Sequence, residues 1–258
     1  MSATIDALKK ILKAVNLSEN EIFISQGLNR TVTQKDIGSD LWDVGSLIAP
    51  SSEFIMPVPA VGGFSAGLLV SDDSADDIAS TGVQKVRITY LNQSGVIQTM
   101  DIDTGGTSGT IFDASEILWI NKMEAIQTGA NGYAEGAIVI ADKNNSQMIY
   151  AVLNAADTVS KYSSMMVPAG KILNLKSWHC ENNTARTATC RLRYRDPQSG
   201  IWSDIDTMAL YQTTSGQIEV EVKIPALSVV KINAKMEGDP NGEKGWVTGT
   251  WLGILESE

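Results

Sequence analysis

One histidine and two cysteines are the side chains of this sequence best suited to nucleophilic chemistry. His179 and Cys180 are adjacent, and Cys190 follows ten residues after Cys180. A thiol attacks as its thiolate and needs a base that meets it in space. His179 and Cys180 fall at the end of a run that predicts a strand, where neighbouring residues point to opposite faces. The two side chains therefore diverge, and no catalysis is expected from them. Two cysteines and one histidine also fall short of the four ligands of a structural zinc site. The polar stretch between the cysteines lets a hairpin bring them together, yet two cysteines make no disulfide framework. Alternation around Cys190 favours a buried thiol, and whether the two pair is left open.

Acidic residues offer other chemistry. Asp101 with Asp103, and Asp204 with Asp206, are i, i+2 pairs that share a strand face. Paired carboxylates run glycoside hydrolysis as acid and base, but at strand ends beside turns they read better as solvated loop edges. Asp72, Asp73, Asp76 and Asp77 cluster in a loop of small residues and offer the oxygen ligands that calcium prefers. Their spacing matches no EF-hand loop, so a solvated loop is the preferred reading. Trp178, Trp202, Trp246 and Trp251 all fall in the second half. They suit a sugar platform or an interface anchor, with core packing preferred. Arg191, Arg193 and Arg195 line one strand face and are expected to pair with the Glu219 and Glu221 face of a neighbouring strand or subunit. The sequence holds no GxGxxG or Walker motif. No catalytic residue, metal ligand or cofactor is predicted.

The elements that would position these residues read as β. The chain has 258 residues, 43% hydrophobic and 19% charged, the proportions of a folded protein. A net charge of −10 without a basic stripe argues against nucleic-acid partners. The first residues lack the apolar run of a signal peptide, and no stretch nears the roughly 20 apolar residues that span a bilayer. Ile5, Leu8, Leu12 and Val15 form one stripe of a short predicted helix that needs a docking surface. Residues 18–21 suit a capping box, although the IFI that follows suits a strand. Residues 25–60 read as an extended arm. From residue 83 onward, alternating runs and turn residues predict strand after strand, without helix-length segments between them. Val86, Ile88 and Tyr90 alternate with polar neighbours, as do Ile218, Val220, Val222 and Ile224. This pattern predicts an all-β chain of two antiparallel β-sandwich or jelly-roll-like domains, preceded by a short N-terminal helix and arm. The predicted boundaries are 1–37 for the helix and arm, 38–160 for the first domain and 161–258 for the second.

Three segments carry a family resemblance. Asp40–Gly45 reads DLWDVG. Residues 80–102 read STGVQKVRITYLNQSGVIQTMDI, followed by ILWINKMEAIQTGANGYAEGAIVI over 117–140. Tyr162–Lys171 reads YSSMMVPAGK and leads to the CRLRYR strand at Cys190–Arg195. In this order they resemble virion structural proteins of tailed bacteriophages. Those carry a "TGxxxVRIxxLD" strand pair, an "INR" strand, a glycine-rich "AGxNG" turn and a "VPAGKT" lead into a second β domain with an "LRxR" strand. Here Ser46 and Leu47 stand where a further glycine is common, Asn92 replaces Asp, and Lys122 replaces Arg.

The resemblance spans about residues 40–202 and implies a non-enzymatic component of the phage particle, such as a capsid decoration, cement or accessory head or neck protein. It implies other virion proteins as partners, a homo-oligomer, no nucleic acid and no membrane, and assembly in the host cytoplasm into the virion. The alternative is a receptor- or glycan-binding module of a head or tail fibre. Leu8, Leu12 and Val15, with Trp42 as anchor, are the expected docking residues.

Overall fold

The computed structural model describes residues 21–26, 30–31, 42–43, 66–160, 163–182, 187–211, 214–236 and 246–258. Three short strands come first: β1 (Glu21–Gln26), β2 (Arg30–Thr31) and β3 (Trp42–Asp43). The first large unit follows, with β4 (Gly67–Ser71), β5 (Val83–Asn92), β6 (Ile97–Asp103), β7 (Thr110–Phe112), β8 (Ile117–Thr128), β9 (Ile138–Asp142) and β10 (Asn145–Leu153). The second comprises β11 (Met165–Met166), β12 (Lys171–Asn182), β13 (Ala188–Arg195), β14 (Trp202–Leu210), β15 (Ser215–Ile224), β16 (Val229–Met236) and β17 (Trp246–Ser257). Among the described residues the fold is all-β apart from a single 3-10 turn at Gly106–Ser108, and every strand pairing is antiparallel.

Each unit folds two sheets around one core. In the first, the order β10-β9-β4-β7 faces β6-β5-β8. Val86, Ile88 and Tyr90 point inward from β5, while Lys85, Arg87 and Thr89 point out. They meet Leu69, Ile138 and Ile140 from the other sheet in a core that also holds Trp119 and Met123. In the second unit, β1-β17-β12-β15 faces β11-β16-β13-β14. Leu173, Leu175, Trp178 and Trp251 enclose its core with Leu192, Val230 and Ile232. Strict alternation of this kind is what an antiparallel sheet with one wet face requires.

The arm departs from the sequence reading. The end of β1, together with β2 and β3, lies within the stretch read as loop, yet these strands pair with the second unit. β1 runs along the outer edge of β17, from Glu21 opposite Leu255 to Gln26 opposite Thr250. β2 joins β17 farther along, and Trp42–Asp43 pairs with Ala234 and Asn233 of β16. An exposed sheet edge offers unpaired N–H and C=O groups to any nearby extended chain. Strands of two residues are too short for hydrophobic periodicity to reveal. The predicted helix and its residues Leu8, Leu12 and Val15 lie outside the described residues.

The cores divide at the Asn154–Ser160 stretch, with one crossing. Met166 and Val229 belong to the second unit in sequence but join the first core, where Trp202 and Leu227 also pack.

Candidate functional site

The family-like motifs fold into two clasps. One closes the first sandwich around the acidic loop. Asp76 is fully buried, with 0% of its surface exposed. Its Oδ1 accepts from the amides of Val83 (2.8 Å) and Glu135 (3.0 Å). Its Oδ2 accepts from the Ser71 hydroxyl (2.7 Å) and the Gly136 amide (2.9 Å). Asp72 accepts from the Ala137 amide at 2.6 Å, and Asp73 from the Ala75 amide at 2.8 Å. Asp76 anchors the loop from inside, while Asp72, Ser74, Ile78 and Ala79 stay exposed, so the solvated reading fails at Asp76. Three of its carboxylates are engaged with protein donors, because a carboxylate without donors is costly to bury. The glycine-rich segment supplies several of those donors. A side chain at Gly136 would lie 2.6 Å from the Asp73 amide nitrogen, so only glycine lets the two segments approach. Among the described residues, no three His, Cys, Asp or Glu side chains gather to hold a metal ion.

The second clasp joins the sandwiches. Asn121, in the INK segment, accepts from the Met166 amide (3.0 Å) and donates to its carbonyl (3.4 Å). The Ala169 amide of the VPAG turn donates to the Gly95 carbonyl at the β5–β6 hairpin tip (2.9 Å). Gly95 has φ of 75° and would place a side chain 2.9 Å from the Ala169 Cβ, so conformation and space both call for glycine there. Asn92 accepts from the Ser94 and Val96 amides at 3.0 Å, capping this turn through an oxygen that aspartate would equally provide. Between the units, Thr158 and Ser160 hydrogen-bond along β8 to Ala125 and Met123. The LNQSG and VPAG motifs, far apart in sequence, thus touch at the junction.

The remaining candidates for chemistry are dispersed. Asp101 takes the Arg87 guanidinium through both oxygens, at 2.6 and 2.8 Å, and Asp103 pairs with Lys85 at 3.0 Å. Hydrogen bonding from Arg87 holds the Asp101 carboxyl below its ordinary value. Asp206 accepts from the Trp178 indole at 2.9 Å. Cys180 and Cys190 are fully buried, while His179 sits half-buried on the opposite face of β12. Burial first, and then the neighbouring Cys190 thiol, raise the Cys180 thiol well above its ordinary range. Trp178 and Trp251 are each 1% exposed and belong to the core, with the Trp251 indole donating to the Ser163 carbonyl.

The arginine row pairs differently from the expectation. Asp204 accepts from Arg193 (2.6 Å) and Arg191 (3.2 Å). Glu219 and Glu221 lie on β15, in the opposing sheet, whose outer face looks the other way; Glu221 meets Lys176 instead. Arg193 and Lys231 also approach the Trp202 ring, at 5.8 and 4.4 Å from its centroid. Trp202 packs against the first core on this side, where Lys231 is buried. Sequence spacing showed the arginine row but missed Lys231, which reaches it only through strand pairing opposite Arg193.

No protein-family model matches the chain, and no curated protein matches it. Among solved structures it is similar to the infectious bursal disease virus Gx strain structure, at 10% identity over 93% of this chain and 72% of that one, with a TM-score of 0.30. The VP2 subviral particle of the same virus gives 11% identity, the same coverages and a TM-score of 0.25. A Cry1Da tryptic core variant of Bacillus thuringiensis gives 9% identity over 90% of this chain and 58% of that one, with a TM-score of 0.21. Scores this low carry nothing about function.

Of the expected docking residues, only Trp42 lies among the described residues, in the β3 pairing with Ala234.

Proposed function

We propose that this chain is a non-enzymatic structural component of a tailed-phage particle, built from two jelly-roll-like domains that assemble with capsid, neck or tail subunits and with copies of itself. The observation that carries this reading is the ordered motif set of residues 40–202. Its residues are spent on architecture. Asp76 and Gly136 close the first sandwich, and Asn121, Gly95 and Ala169 fix it against the second. Two units fixed to each other suit a protein whose task is to hold a position in a lattice. The fibre reading, in which the tryptophans bind glycan, is the weaker one. Trp178 and Trp251 are buried, and Trp202 lies beneath two cations.

Truncation tests the docking part. Removing residues 1–20 deletes the Leu8, Leu12 and Val15 stripe but keeps β1 on β17. Removing residues 1–37 also strips β1 and β2. Loss of the protein from particles in both variants is expected. Full incorporation of both would refute docking through the arm.

A further inference from the structure

Two free thiols face each other inside the second sandwich. Cys180 projects from β12 and Cys190 from β13, strands that belong to opposing sheets. Both are fully buried in one core cluster. Cys180 is flanked across its strand pairs by Gly216 and Gly249, and Cys190 by Ala234 and Met208. Three of these four neighbours carry little or no side chain. The fourth, Met208, turns its sulfur over Gly216, 2.5 Å from where a Cβ would stand there. These small neighbours leave little between the thiols, and Cys190 lies close enough to help raise the Cys180 thiol. Facing sheets lie about 10 Å apart. Disulfides bridge that gap between facing strands in immunoglobulin-type sandwiches, beside a buried tryptophan. Trp178 lies two residues before Cys180 on the same inward face.

We propose that Cys180 and Cys190 are a modification site, at which a small uncharged oxidant of the peroxide class closes a reversible inter-sheet disulfide. One sulfur, ionised during a local opening, attacks a peroxide oxygen. The O–O bond breaks, a sulfenic acid forms, and one water leaves after proton uptake. The second sulfur then displaces the hydroxyl of the sulfenic acid as a second water, forming the S–S bond. Two thiols and one hydrogen peroxide thus give one disulfide and two waters. The bond closes a loop of eleven residues, enough to shift the folding equilibrium of this sandwich about 100-fold by the chain-entropy estimate. Its timing rests on the function proposed above: assembly would occur with the pair reduced, and closure would follow release, since disulfides persist on virion surfaces.

The test uses the full chain, purified with reductant and then exposed to hydrogen peroxide in its native state. It is next unfolded in iodoacetamide without reductant and weighed. The expected result is a loss of about 2 Da with no alkylation, and a peptide joining Cys180 to Cys190. The thermal transition should rise by roughly 6–10 °C and fall back with dithiothreitol. Cys190→Ala should show neither change; if that variant does not fold, oxidised and reduced wild type compare directly. Two alkylated thiols, intermolecular dimers, or sulfinic acid without a bridge would overturn the site. A bridge that forms in vitro while particles released from cells keep both thiols free would overturn the timing and leave the site standing.

Discussion

The two sandwiches close by different chemistry. The first buries a carboxylate and surrounds it with four donors, so its loop is fixed by directional bonds. The second packs tryptophans, aliphatic side chains and two thiols, and its buried side-chain hydrogen bonds run singly to backbone carbonyls, from Trp251 to Ser163, Ser163 to Ile232 and Asn182 to Leu210. Directional bonds specify one arrangement and fail abruptly when a partner is lost. Dispersion and hydrophobic burial are spread over many contacts and yield by degrees. The first sandwich should therefore be brittle to single polar changes and the second tolerant of them.

The largest effect expected is at Asp76. Asp76→Ala would leave four donors unsatisfied, three of them buried, and cost about 3–5 kcal/mol. Urea unfolding followed through the buried Trp119 would measure it. A cost below about 1 kcal/mol would remove the contrast, because it would equal an ordinary surface change. Gly136→Ala comes next, at about 1–3 kcal/mol from overpacking against the Asp73 backbone. Asn121→Ala tests the junction and not either core. It removes both bonds to Met166 at a cost of about 1–2 kcal/mol, and hydrogen exchange at the Met166 amide should accelerate while the two cores stay protected.

The Cys180 thiol gives the second sandwich its own pH dependence. An unfolded chain ionises Cys180 near pH 8.5, whereas burial, and secondarily Cys190, keeps it protonated in the fold. The folded value is raised, so stability is full below about pH 8.5 and is lost as pH rises from there through the folded value. Urea midpoints between pH 7 and 10 should fall for the second sandwich, and Cys180→Ala should flatten the slope. The smallest effect is on the open face of β5 and β6. Arg87→Ala breaks the exposed pair with Asp101. It should cost little, and less still in high salt. The Asp101 value is lowered, so that contribution is present above its unfolded value and disappears as pH falls through the folded one.

Much of this was legible in the sequence. Alternation fixed the inward residues of β5, β13 and β15, because period-2 burial is a local property. Divergence of His179 from Cys180 followed from the same geometry. Asp76 was not legible as a buried anchor: its donors, the Ser71 hydroxyl and the amides of residues 83, 135 and 136, come together only on folding. The true partner of the arginine row was hidden for the same reason, since sheet membership separates β13 from β15 and joins it to β14. The IFI run of β1 already suited a strand, but β2 and β3 were missed because edge pairing depends on what the partner leaves open. The motif positions were visible as a resemblance, but their touching at the junction was not.

Cryo-electron microscopy of the intact particle, with this chain traced in the map, tests the central claim most directly. The account predicts two joined sandwiches at a fixed position on the capsid, neck or tail, held against neighbouring subunits. Absence of the chain from the particle would contradict it.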